Sequence, residues 1–319
     1  MTQKFVYIGV LGNVDESIRN VTLPNGFHID SMPFVEMLKI GSELTGEPMK
    51  SLENQWTSSY RCIIDSQLRG LGQDEKKTTF DLVCFYITKS YEVDIEISED
   101  NRIATVEDWM KLTEPANEAT MLVPDLLRKI NLFKDGHVCA PVSFEFIVDG
   151  EKMTMFSAGR SNHILSRELL SLESGESKEL QEFIDVTRLP DRNSYIGLAL
   201  ENYELSYRAE NPGLSFITAF IALEVLFDAG AHKVARNMAV LLGSDADDSK
   251  RIFNEVKELH NKRSNLVHSG KMNKISDEDL IALRRYTRKA IVRTNTLDMQ
   301  KAQLIEKLNM LGFGACDDM

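Results

Sequence analysis

Two hydrophobic periods divide this chain. In its first half, apolar and polar positions follow the two-residue repeat of strands. YEVDIEI (91–97) puts Tyr91, Val93, Ile95 and Ile97 on one face and Glu92, Asp94 and Glu96 on the other, as in a half-solvated strand. FVYIGVL (5–11) is apolar throughout and predicts a buried strand. VSFEFIVDGEKMTMF (142–156) predicts a hairpin turning at Asp149-Gly150. Helices are expected near 34–45 and 119–132. Residues 1–160 thus predict a mixed α+β domain.

From about residue 176 the repeat lengthens to that of helices. Ile196, Leu200, Tyr203 and Tyr207 recur at three-to-four spacing. Phe216–Phe227 is apolar almost all round, which predicts a central helix. Val234, Met238, Leu241 and Leu242 form another stripe. A helix over 249–268 is expected, with N-cap residues in SDADDS (244–249) and Gly270 to close it. Another is expected over 276–297, opened by Ser276 and the acidic DED that suits a helix N-terminus. The fold class is therefore α+β: a mixed N-terminal domain, then an all-helical bundle over 191–319. Residues 161–190, with SLESGES and Pro190, read as a linker and leading helix.

Two residues break the apolar pattern of the bundle. The seam of the 249–268 helix reads Ile252, Val256, Leu259, then Arg263, then Leu266. A guanidinium on a buried seam is costly without a partner. The 216–227 helix carries one charge, Glu224 in FIALEVLF, which has the same need. An ion pair between Arg263 and Glu224 is expected. His268 follows Arg263 by five residues, about 140° further round the helix. Alone, a histidine there is a cap for the helix dipole; with Arg263 it can converge on a ligand lying across the helix end, above all if a second subunit contributes.

Charge changes the picture further. The chain of 319 residues is 43% hydrophobic and carries a net charge of −12. That argues against general duplex-DNA coating and anionic-membrane binding. Residues 229–301 nevertheless hold 15 Lys and Arg against 9 Asp and Glu. Arg284/Arg288 and Arg285/Lys289 are i,i+4 pairs that repel unless they are exposed or face an anion. With Lys262, they are candidates for a phosphate-tracking surface. Cys62, Cys84, Cys139 and Cys316 are far apart and form no CxxC, so reduced thiols in the cytoplasm are expected. No apolar run reaches about 18 residues, so no membrane partner is expected.

The stretches FITAFIALEVLF, AHKVARNMAVLLG, IFNEVKELHNKRSNLVHSG and LRRYTRKAI together resemble an Apea-like HEPN domain over roughly 190–300. The superfamily signature is an Arg followed four to six residues later by a His at a helix end, and RSNLVH fits it. Ribonuclease members often carry Asn, Asp or His directly after the arginine; here Ser264 stands there, with Asn265 next. The resemblance implies a metal-independent endoribonuclease, in which two protomers share one cleft. Arg263 would hold the phosphate and His268 would take the 2′-OH proton, with Ser264, Asn265 and Glu224 in support. No cofactor or metal is expected: phosphate-loop, HExxH and GxSxG motifs are absent, and the six histidines form no zinc spacing with the cysteines. By family analogy the protein would be a toxic, abortive-infection effector against phage, its N-terminal domain meeting a phage or host trigger. The alternative is a catalytically silent HEPN module that binds RNA, nucleotide or a partner protein.

Overall fold

The computed structural model describes residues 2–52, 82–97, 103, 105–160, 168–209, 211–228, 230–269 and 275–315. The chain forms two units, Met1–Thr187 and Arg188–Met319.

The apolar run at the N-terminus is long because its strand is central. β1 (Thr2–Gly12) pairs antiparallel with β3 (Val83–Asp94) on one side and β4 (Cys139–Asp149) on the other. β2 (His28–Pro33) and β5 (Lys152–Arg160) close the edges, giving the order β2-β3-β1-β4-β5. Both faces of β1 are covered. Tyr7 and Leu11 join one core, with α2 (Val106–Phe133) and α3 (Glu176–Val186). Val6, Ile8 and Val10 join the other, with α1 (Phe34–Thr45). A strand buried on both faces has no reason to alternate.

Of the strand expected at 91–97, residues 91–94 are the tail of β3, which ends at Asp94; the alternation continues past it, with Val93 and Ile95 buried and Glu92, Asp94 and Glu96 exposed. The hairpin turns where expected, with Gly150 at φ 62°, a left-handed conformation that glycine adopts freely. The helix expected at 119–132 is the second half of α2, which begins at Val106 and contains Pro115 and Pro124.

The boundary between units lies later than the composition suggested. Leu170, Leu172, Leu180 and Ile184 are buried in the core beneath α2, and the Leu170 amide donates to the Asn13 carbonyl at 2.9 Å. Residues 168–187 therefore belong to the first unit, because four apolar side chains in a polar stretch suffice to dock it. Residues 161–167 lie outside the described residues.

The second unit is helical among its described residues: α4 (Tyr195–Arg208), α5 (Pro212–Phe227), α6 (Ala231–Leu242), α7 (Ala246–Ser269), α8 (Asp277–Leu297) and α9 (Lys301–Met310). α5 is the central helix, as expected. Phe216, Ala219, Phe220, Leu223, Leu226 and Phe227 are all buried. Pro212 opens it, and the Asn211 side chain accepts from the Gly213 and Leu214 amides. Ser276 and Asp279 form a capping box at the start of α8. Gly270, the expected closing residue of α7, lies outside the described residues. Among the described residues no single helix is long and apolar enough to cross a membrane.

Candidate functional site

The two odd charges of the bundle meet. Arg263 Nη2 lies 3.2 Å from Glu224 Oε1 and 3.3 Å from Oε2. The side chains keep 25% and 31% of their surface exposed, so the pair lies at the margin of the bundle. Arg263 Nε is buried with no hydrogen-bond partner.

One turn earlier on α7 stands a residue to which the sequence reading gave no role. His260 is half-buried, with its ring edge-on to Phe220 of α5 at 5.6 Å between centroids. Burial and the neighbouring Arg263 cation push its pKa below the ordinary histidine value, and Glu224 opposes them. The imidazole is therefore biased toward its neutral form. The available signal was spacing: His260 stands three positions before Arg263, and i,i+3 positions share a helix face. By the same geometry, His268 is turned about 140° from Arg263 and sits about 7.5 Å further along the axis.

His268 is exposed in the last turn of α7. Leu266 is buried against Gly213 at the start of α5, while Val267 is 49% exposed. Ser264 is half-buried and Asn265 exposed.

The expected basic surface is divided by the structure. Arg284 is buried. Its Nε donates to Ser206 Oγ at 3.3 Å, another nitrogen donates to the Ser206 carbonyl, and the guanidinium lies over the Tyr207 ring at 3.9 Å. It is thus corrected from a candidate RNA contact to a core residue, because its donors are directed at α4. Lys262 is held by Asp279 at 2.7 Å and by Glu258 at 3.5 Å, and the Asp279 carboxylate raises its pKa. Arg288 is 8% exposed, whereas Arg285 and Lys289 are exposed. The side chains paired across α7 and α8, Lys262 with Asp279 and Arg251 with Tyr286, show that the helices run antiparallel. Arg288 and Lys289 therefore lie toward the N-terminal half of α7, away from Arg263 and His268.

Among the described residues no group of three or more His, Cys, Asp or Glu side chains is placed to hold a metal ion. Cys84 and Cys139 are buried and form no disulfide; Cys62 and Cys316 lie outside the described residues. No family model, curated protein or solved structure matches this chain.

Proposed function

We propose that the chain is a metal-independent endoribonuclease of HEPN type, acting in the cytoplasm as an abortive-infection effector against phage. The helical unit supplies the chemistry, and the mixed α+β unit meets the phage or host trigger. What supports this reading is one arrangement. α7 carries Arg263, oriented by Glu224 yet still open to solvent, and ends in the exposed His268 beside an exposed Val267.

In this reading His268, as a neutral imidazole, accepts the proton of a ribose 2′-OH. The 2′-oxygen attacks the adjacent phosphorus, the bond to the 5′-oxygen breaks, and that oxygen leaves with a proton from the imidazolium or water. The products end in a 2′,3′-cyclic phosphate and a 5′-hydroxyl. Arg263 binds the phosphate and offsets its developing charge; Ser264 and Asn265 contact its oxygens or orient the histidine. In this reading a two-fold dimer brings both copies of Arg263 and His268 to one groove, closing the angle between them.

One observation favours a second reading. The Glu224 carboxylate already partners the guanidinium that a phosphate would use, as suits a silent module that binds RNA, nucleotide or a partner protein.

The test is labelled RNA incubated with the full chain, beside a DNA strand of the same sequence and with EDTA present. The ribonuclease reading expects RNA cut to cyclic-phosphate ends, DNA intact, and a loss of at least about 10²-fold in His268→Ala. Undiminished cleavage by His268→Ala, or activity removed by chelator and restored by a divalent ion, overturns it. RNA binding without cleavage selects the silent module.

A further inference from the structure

The Arg263–Glu224 pair is one rung of a two-rung ladder between α5 and α7. The other rung is Phe220 with His260, whose rings meet edge-on at 5.6 Å between centroids. Phe220 and Glu224 stand at i,i+4 on α5, and His260 and Arg263 at i,i+3 on α7, so each helix presents its two residues on one face. A long side chain on a helix leans toward the N-terminus and covers the turn before its own. Arg263 therefore extends over the turn that carries His260 and away from His268, and Glu224 holds it there.

The charges on this ladder sum to zero while His260 is neutral. Arg263 is already compensated by Glu224, through Nη2. Nη1 makes no hydrogen bond among the described residues and, unlike Nε, is open to solvent. A phosphodiester arriving at Nη1 thus brings a negative charge that the pair does not balance. One proton on His260 restores the balance. The Cβ atoms of i,i+3 neighbours are about 5–6 Å apart, a gap that two phosphate oxygens bridge. In the free chain, burial and the Arg263 cation hold the imidazole below its ordinary pKa, with Glu224 opposing them. An anion on Arg263 offsets the second of these effects. The charges on the other sides of His260 are engaged elsewhere. Lys262 is turned about 200° from it and pairs with Glu258 and with Asp279 of α8. His232 of α6 packs on Phe253, two turns earlier on α7.

We propose that His260 is the proton-linked partner of Arg263: a phosphodiester binds to both within one protomer, and one proton, carried by His260, is taken up with it. This rests on the reading of Arg263 as the residue that holds the phosphate, and not on cleavage. The base role stays with His268. Because binding favours the charged imidazole, affinity rises as pH falls.

The probe is a hexa-adenylate RNA bearing 2′-O-methyl groups, which has no attacking hydroxyl and keeps a constant charge near neutral pH. Its affinity for the full chain is measured by calorimetry at low ionic strength, and the histidine ring resonances are followed by NMR with and without saturating probe. Binding should tighten by at least about threefold between about pH 7.5 and about pH 5.5, the effect of one charge on another about 5–6 Å away even at the dielectric of water. His260 should titrate below 6.5 in the free chain and at a higher pH in the complex. His260→Gln should remove the pH dependence, and His268→Gln should keep it. Should His260→Gln unfold, the His260 resonance of the wild-type chain carries the test. No binding at about pH 5.5 overturns the proposal. So does a His260 midpoint that saturating probe leaves unmoved, or a pH dependence kept by His260→Gln or lost in His268→Gln. Cleavage of unmodified RNA with an unmoved His260 overturns this proposal alone; proton linkage without cleavage supports it and sinks the ribonuclease reading.

Discussion

Replacing Glu224 and Arg263 together by apolar residues separates what the pair does for the fold from what it does for a ligand. At 3.2 Å the attraction is about 5 kcal/mol at an effective dielectric of about 20 and about 1.3 kcal/mol in water. With a quarter to a third of each side chain exposed, screening brings the coupling to about 1–2 kcal/mol. Against it stands the buried Arg263 Nε with no acceptor, a desolvation cost of about 1–3 kcal/mol. The two effects nearly cancel, so the pair contributes little net stability. Removing only one partner is different: the other charge remains at the edge of an apolar helix.

Arg263→Ala should therefore lose about 2–3 kcal/mol, part of it from the packing of the aliphatic stem. The double variant Glu224→Leu/Arg263→Met should return to within about 1 kcal/mol of the wild type. Near unfolding, 1 kcal/mol corresponds to about 4 °C for a unit of this size. Thermal and urea unfolding of the three proteins measure this, and RNA binding and cleavage are followed in parallel. The double variant should be folded and functionally dead. A double variant that loses as much as Arg263→Ala or more would refute the reasoning, since the pair would then be a structural requirement. A folded double variant with wild-type cleavage would refute the role of Arg263 instead.

Arg284→Ala should destabilise the second unit by about 2–4 kcal/mol in urea melts, through a core cavity, an orphaned Ser206 carbonyl and the lost contact with Tyr207. Its effect on RNA binding should follow the folded fraction. Glu145 lies buried on β4, and burial raises its pKa while hydrogen bonds from Thr120 and Ser157 oppose the shift. The folded chain thus holds that proton longer than the unfolded one, and stability falls as pH rises above the ordinary carboxylate value of 4.5. Glu145→Gln should raise the unfolding midpoint at about pH 8 and leave it unchanged or lower at about pH 4; a gain of equal size at both pH values would exclude the linkage. For His260 the sign is opposite. Its lowered pKa means that the folded chain binds its proton less readily, so stability falls as pH drops through 6.5. His260→Gln should flatten that limb of the unfolding curve.

The division into a mixed unit and a helical unit was legible because the hydrophobic period changes from two to between three and four. What escaped has physical reasons. The first half of α2 shows little apolar periodicity, since of residues 106–118 it buries chiefly Leu112, Pro115 and Ala116, and Pro115 argues against a helix. β2 is a short edge strand with His28, Asp30 and Ser31 in its six residues and Pro33 at its end, as edge strands tolerate. At the site, the Arg263–Glu224 pair was legible because each charge interrupts an apolar seam. Arg284 interrupts such a seam on α8, on the stripe Leu280, Arg284, Thr287, Ile291, all buried. Counting i,i+4 charges on that helix instead grouped a core guanidinium with exposed ones. Spacing says which residues are neighbours; only the apolar stripe says which face is inside.

The azimuths on α7 lead to a last test. If Arg263 and His268 act on one phosphate, about 140° of helix rotation must be closed by a second copy. A mixture of Arg263→Ala and His268→Ala chains then regains activity, because a mixed dimer holds one composite site with both residues intact. Random pairing makes about half the dimers mixed, each with one working site of two, so about a quarter of wild-type activity should return. If instead the two residues act within one protomer, every chain in the mixture lacks one of them and nothing returns. If the base were His260, on the Arg263 face and biased toward neutrality, His268→Ala alone would retain cleavage and His260→Ala would lose it. Mixing the purified variants after brief denaturation and refolding, with rates taken against each variant alone, distinguishes the two geometries. Recovery near zero, with both single variants folded and dimeric by light scattering, would exclude the shared-groove mechanism.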